Sequence, residues 1–283
     1  MKHIFNEIEK MDADVYDRLN TRRSAMKQFS GIAGKLALAT LPVVLGGMFK
    51  KAYGQSTSGV TGILNYALTL EYLEAKFYSM GNAAIAGGGL MVPSEPAKMA
   101  LQKIGADETA HVNFLKAAIS GAGGTPVEEP AFDFTAGGAF ANVFSNYALF
   151  LAVAQTFEDT GVRAYKGQAA DPMLMANNDV LTAALNIHSV EARHASHIRQ
   201  MRKANGGLVP AGVNVKPWIT GKQSGIDSAA VQASYDGEEV TTQATISIVN
   251  INGMAISADA ASEAFDEPLT KDQVLNIVGP FIV

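Results

Sequence analysis

Glu108-Thr109-Ala110-His111 and Glu191-Ala192-Arg193-His194 are two copies of one four-residue unit, Glu-x-x-His. Each follows an earlier stretch that carries a Glu with a Tyr seven residues on: Glu71 with Tyr78, and Glu158 with Tyr165. Residues three apart on an α-helix lie about 60° apart around its axis, so the Glu and His of each unit share a face. Residues seven apart are offset by only about 20°, so each Tyr lies two turns along the same face as its Glu. Carboxylates and imidazoles in this order suit a four-helix bundle holding two metal ions between its helices. The chain reads as all-α, a duplicated helical hairpin in which each copy supplies half of a dimetal site. The offset is 87 residues from Glu71 to Glu158 and 83 from Glu108 to Glu191, a loop-length difference that a duplicated hairpin would show.

The expected metal ligands are therefore Glu71, Glu108, His111, Glu158, Glu191 and His194. Glu108 and Glu191 bridge two ions in this reading, each His binds one ion, and Glu71 and Glu158 each cap one. Four carboxylates balance two divalent cations, and oxygen-rich ligation favours iron or manganese over structural zinc. Tyr78 and Tyr165 are placed either as partners of ligating carboxylates across the bundle, with a redox role, or as core tyrosines with satisfied hydroxyls. Glu74 lies one turn from Glu71 and is the alternative ligand there, although the Tyr78 spacing favours Glu71. Asp159 points about 100° away from Glu158. His188 and His197 diverge from each other by about half a turn, so both cannot face the metals, and His197 is the better choice for an orienting or entry-path residue.

Apolar periodicity marks four helices. The first runs from about Gly59 to Met80, ended by Gly81 and Asn82. The second is capped by Ser94 and stops at Gly121. The third runs from about Ala139 to Ala169, and the fourth from about Met173 to Ala204. Between the second and third, Gly121 to Gly138 is a long Gly- and Pro-containing crossover. After Gly207 helical periodicity is lost. Val231 to Ser234 and Thr245 to Ile251 read as short strands or coil, Ser257 to Phe265 as helix, and Thr270-x-x-Gln273 as a capping box before a last short helix ending at Gly279. This irregular tail is expected to dock on the bundle through Trp218, Val240, Ile246, Ile248 and the final helix.

The 283-residue chain carries 22 Lys and Arg against 27 Asp and Glu and no Cys, which excludes disulfides, thiolate metal sites and a Cys nucleophile. No basic stripe points to nucleic acid. Thr21-Arg22-Arg23-Ser24-Ala25-Met26-Lys27 precedes an apolar run from about Leu36 to Phe49, then Ala52-Tyr53-Gly54. The ordering resembles a twin-arginine export signal, although Ala25 stands where a large apolar residue is usual. The run is short of the roughly 20 apolar residues of a membrane span. The expected division is 1–54 export signal, 55–205 bundle and 206–283 tail, with the mature chain in the periplasm. Removal of residues 1–54 would leave 13 basic against 22 acidic residues.

The run Leu68 to Tyr78, the unit Asp107 to His111 and the unit Glu191 to His194 resemble the ferritin-like superfamily. They are most similar to exported bacterial ferritin-like domain proteins, some labelled desiccation-related. The resemblance covers Gly59 to Asn205, and the run Ala261 to Leu269 extends it loosely into the tail. It implies a dimetal centre with two iron or manganese ions, and redox chemistry with oxygen, peroxide or ferrous iron. A non-enzymatic metal-binding or stress-protective protein is the alternative, and a small-molecule oxygenase would need a pocket beside the metals. The long tail, docked on faces that a storage cage would use, leads us to expect a monomer or small homo-oligomer.

Overall fold

The computed structural model describes residues 57–283. The export-signal reading falls on residues outside this range. Four long helices make the bundle: α1 (Thr57–Ala86), α2 (Glu95–Gly121), α3 (Tyr147–Ala169) and, after a one-turn helix α4 (Pro172–Met175), α5 (Asn178–Asn205). Helices α1 and α2 pack as one hairpin, and α3 and α5 as the other. The α2–α3 connection is the long crossover expected of this bundle.

Three boundaries differ from the sequence expectation, each for a local reason. Helix α1 continues through Gly81 to Ala86. A Cβ on Gly81 would come within 2.4 Å of the Phe150 ring, so this glycine permits close packing of α1 on α3 and does not end the helix. Helix α3 starts at Tyr147, not near Ala139. Gly137 and Gly138 have positive φ, the stretch after them is a series of turns, and Asn146 caps the helix by accepting from Leu149 N. Asp171 caps the separate turn α4, so the fourth long helix begins at Asn178 and not at Met173. Ser94 caps α2 as expected, with Pro96 in the first turn.

The crossover carries much of the aromatic core. Phe77 of α1 stacks on Phe150 of α3 with centroids 4.7 Å apart and meets Phe134 of the crossover edge-on at 5.4 Å. Phe157 of α3 packs edge-on against Phe281 near the C-terminus, and Phe281 stacks on Phe140. Backbone pairing of Asp133 N with Phe281 O and of Val283 N with Ala131 O fastens the chain end to the crossover.

The tail lies on the second hairpin. It contains a 3₁₀ turn (Ala229–Ser234) where a short strand or coil was expected, a minimal antiparallel pair β1 (Thr242–Gln243) and β2 (Ile246–Ser247), and helices α6 (Ala258–Ser262) and α7 (Lys271–Val278). The capping box of Thr270 and Gln273 is formed. Docking departs from expectation. Ile248, Val274 and Val278 are buried, but Trp218 is 50% and Ile246 57% exposed, and Val240 is exposed too. Tyr235, Val231, Ile219, Ile226 and Leu269 are the buried apolar anchors instead.

Buried polar groups do the rest of the docking. Arg163 of α3 is 1% exposed; its Nη1 and Nη2 donate to Ser234 O (2.6 Å) and Asp236 O (3.0 Å), and its Nε reaches Glu267 O and the Glu238 carboxylate. Arg202 of α5 donates to Gln155 Oε1 and to the carbonyls of Leu208 and Gly225. Arg199 makes a two-pronged contact with Asp159, and Tyr235 donates its hydroxyl to Asp159 Oδ2 (2.8 Å). Asp159, which points away from Glu158, is thus a buried anchor for the tail. Among the described residues no helix is long and apolar enough to cross a membrane.

Candidate metal centre

The donors occupy positions that the helical repeat otherwise gives to core residues. On α2 the buried series is Leu101, Ile104, Glu108, Val112 and Leu115; on α5 it is Ile187, Glu191, His194 and Ile198. Helix α3 is buried on every side from Phe150 to Tyr165, with the bundle on one side and the tail on the other. Glu71, Glu108, Glu158 and Glu191 are all 0% exposed.

These side chains converge as two overlapping groups, Glu71–Glu108–His111–Glu191 and Glu108–Glu158–Glu191–His194, with the donor atoms of each group within 4.8 Å of one another. Glu108 and Glu191 belong to both. His111 Nδ1 lies 3.0 Å from Glu108 Oε2, 3.1 Å from Glu71 Oε2 and 3.2 Å from Glu191 Oε1. His194 Nδ1 lies 2.7 Å from Glu108 Oε1, 3.3 Å from Glu158 Oε2 and 3.5 Å from Glu191 Oε2. Each central carboxylate therefore turns one oxygen to each imidazole.

A test of whether these residues fit a metal comes from their unmet bonding. Glu108 Oε1, Glu158 Oε2, both oxygens of Glu191 and His194 Nδ1 are buried and make no well-directed hydrogen bond, although His194 Nδ1 lies 2.7 to 3.5 Å from oxygens of the three carboxylates. Buried polar atoms are rarely left so, and here five of them crowd one space. Divalent cations would satisfy them, so the set fits a pair of such ions.

Charge repulsion points the same way. Burial, then the Glu191 charge, pushes Glu71 up to about 8, and burial holds Glu158 well above the ordinary carboxylate range. Burial opposes ionisation of Glu191 too, but contact with both imidazoles outweighs it and holds this group at about 2. Burial also opposes the charge on His111, yet its three carboxylate neighbours raise it to about 12.

Tyr78 and Tyr165 reach across the bundle. Tyr78 OH donates to Glu158 Oε1 at 2.5 Å, and Tyr165 OH donates to Glu71 Oε1, so each hairpin's phenol holds the other hairpin's capping carboxylate. Burial and those carboxylates push both phenols well above their usual range, which keeps them as donors. Asp107 approaches the outer nitrogen of His194, with Oδ2 3.3 Å from Nε2. Such a carboxylate fixes the ring and its tautomer.

Glu74 is buried beside the site but belongs to neither donor group. Burial and four neighbouring carboxylates raise it well above the ordinary range. It fits because residue 161 is glycine: a Cβ there would stand 3.1 Å from Glu74 Oε1. His188 is engaged with Val162 O through Nδ1 at 3.0 Å, and His197 is exposed in a surface cleft with Ser94 and Tyr147. Sequence reasoning missed the roles of Asp107 and Gly161. The repeat offsets would have exposed both, since they set Asp107 against Val190 and Gly161 against Glu74.

No curated protein and no solved structure matches the chain. The ferritin-like domain family matches residues 59–204, which begin near the start of α1 and end at the last turn of α5. The match spans both hairpins and every residue of the two donor groups, and the chain belongs to the ferritin-like domain family.

Proposed function

We propose that this protein holds two iron or manganese ions, to which Glu108 and Glu191, the residues common to both donor groups, would be shared ligands, and uses them for redox chemistry with dioxygen, peroxide or ferrous iron. The observation that carries the reading is the sharing of two fully buried carboxylates between two four-residue groups. Glu71 and His111 would complete one ion's ligands, and Glu158 and His194 the other's. When bound, each ion can supply one electron, so the pair provides the two electrons that reduce dioxygen to peroxide, or peroxide to two waters, with uptake of two protons.

The protein's own part is to exclude water, hold the ligands and keep a proton on Tyr78 and Tyr165. The complete burial of the carboxylates also suits a second reading, in which the ions only tie the helices together. We place the mature chain in the periplasm after twin-arginine export, as a monomer or small oligomer.

Metal analysis of the purified protein, followed by ferrous-oxidation and peroxide assays, tests the function. Two ions per chain and oxidation by either oxidant are expected. Glu108→Ala and Glu191→Ala should each lose the pair, because each removes a ligand from both ions. Full metal content in both variants would overturn the site, and redox-inert protein with bound zinc would establish the second reading.

A further inference from the structure

Trp218 is the only tryptophan of the chain, and it stands half exposed on the tail while Ile219 beside it is buried. Its indole hydrogen-bonds the Glu263 carboxylate, which Lys216 and Thr220 also hold. Gly221 N donates to Ser262 Oγ at 2.9 Å, so the segment is fastened to the end of α6 on both sides of the ring. An aromatic face is thus exposed and held in place, far from the metal ligands in sequence and role.

Trp218 lines a cavity of about 120 Å³ between the tail and the second hairpin. One water needs roughly 10–15 Å³ on this measure, so the space admits one small organic molecule in place of several waters. The tail also contributes Asp266, α5 contributes Arg199 and Ala195, and α3 contributes Val162. Two opposite charges here are uncommitted. Arg199 is 2% exposed and spends Nε and Nη2 on Asp159, and its Nη1 makes no hydrogen bond among the described residues. A buried guanidinium rarely leaves a nitrogen so. The backbone carbonyl of Asp266 accepts from Lys166, but its carboxylate has no ion pair among the described residues. Arg199 and Asp266 attract each other without closing on one another.

We propose that this cavity binds a small zwitterion, a carboxylate joined by a short chain to a quaternary ammonium group. The carboxylate accepts from Arg199 Nη1, a charge-assisted bond, and the cationic end lies between Asp266 and the Trp218 ring. Tryptophan is the best of the aromatic faces for a cation, and quaternary ammonium groups suit it because they carry no N–H. A primary ammonium has three N–H donors to satisfy, and the Val162 and Ala195 side chains satisfy none. A simple anion would be repelled by Asp266 and a simple cation by Arg199. A molecule with both charges is repelled by neither.

Glycine betaine is the probe, added to the purified full chain. Because Trp218 is the sole tryptophan, its emission reports on the site directly. A saturable emission change is expected, with one molecule bound per chain by calorimetry. Choline, which lacks the carboxylate, and glycine, which lacks the methyl groups, should each bind about tenfold more weakly or worse. These comparisons use the unaltered protein, so they hold even where a substitution disturbs the tail. Trp218→Ala and Asp266→Asn, checked for folding by circular dichroism, should each weaken betaine binding about tenfold by calorimetry. No saturable response to betaine below about 10 mM overturns the proposal. So does choline or glycine bound as tightly as betaine, or a response to the neutral disaccharide maltose in its place. Betaine binding unchanged in both folded variants puts the molecule elsewhere and overturns it too.

Discussion

Arg163→Met should weaken the tail's hold on the second hairpin without touching the candidate centre. Methionine is unbranched and flexible enough to occupy most of the vacated volume, so the effect is mainly electrostatic and hydrogen-bonding. Arg163 serves the carbonyls of Ser234, Asp236 and Glu267 and the buried Glu238 carboxylate. Burial lowers the Arg163 guanidinium despite its acidic neighbours, and burial raises Glu238 to about 7 despite Arg163. Both partners thus lose more by desolvation than they recover, as buried pairs often do. Removing one partner is still expensive, about 3–5 kcal/mol, because the other is left buried and uncompensated. At about 2–4 °C per kcal/mol for a chain of this size, the midpoint should fall by roughly 10 °C.

The pH dependence separates this mechanism from simple loss of packing. Glu238 has a folded-state pKa raised above its unfolded value, so its contribution is most favourable at low pH and declines as pH rises through about 7. Without Arg163 the rise is larger, and the penalty keeps growing above pH 7 by about 1.4 kcal/mol per unit. Thermal unfolding followed by circular dichroism should therefore show a greater loss at pH 8 than at pH 5. Arg163→Met combined with Glu238→Gln should recover part of the loss at pH 8. A midpoint within about 2 °C of the parent at both pH values, or a greater loss at pH 5, would refute the reasoning.

Asp107→Asn should weaken one ion of the proposed pair by about 10–100-fold and spare the other, because of the two imidazoles Asp107 meets only that of His194; stepwise metal titration reads this, and equal weakening of both steps would count against it. Metal binding should release protons, since His111 and Glu71 hold them near neutral pH in the absence of metal; calorimetry in buffers of different ionisation enthalpy should find at least about one proton released at pH 7 and tighter binding as pH rises. Replacing Arg22 and Arg23 by Lys should trap the precursor in the cytoplasm, as cell fractionation would show; normal export would point to another route.

The convergence of these six carboxylate and imidazole side chains was legible because a helix translates spacing into a shared face, and because His is scarce enough for two Glu-x-x-His units to stand out. The capping box of Thr270 and Gln273 was legible for the same reason, being a contact made within one turn. Helix limits were less so. Gly81 looks like a terminator in sequence, and only its approach to Phe150 shows why the helix continues. The tail's docking was legible only in Ile248 and the final helix. Its strongest contacts join polar residues 71 to 104 positions apart, and the exposed Trp218 and Ile246 are the very residues that hydrophobicity would have chosen. Charged side chains have no apolar periodicity to betray their burial, so Arg163, Arg199 and Arg202 read as surface until their partners are placed.

Those same residues show how the two hairpins have diverged. At the repeat offsets, Gln155, Asp159, Arg163, Arg199 and Arg202 correspond to Leu68, Tyr72, Lys76, Lys116 and Ile119. Lys76 and Lys116 are exposed on the first hairpin, whereas their counterparts are buried beneath the tail on the second. Divergence reaches the centre as well. His194 has Asp107 at its outer nitrogen, while the corresponding position beside His111 is Val190. Glu74 fills the space left by Gly161, and no carboxylate returns the contact from the other side. A duplication gives two half-sites the same ligands, but these substitutions give them different surroundings. One imidazole is tethered by a carboxylate and the other is not, and a spare buried acid, Glu74, lies beside the carboxylates that the two groups share. Two ions held by matching ligands would therefore differ in affinity and in ease of oxidation.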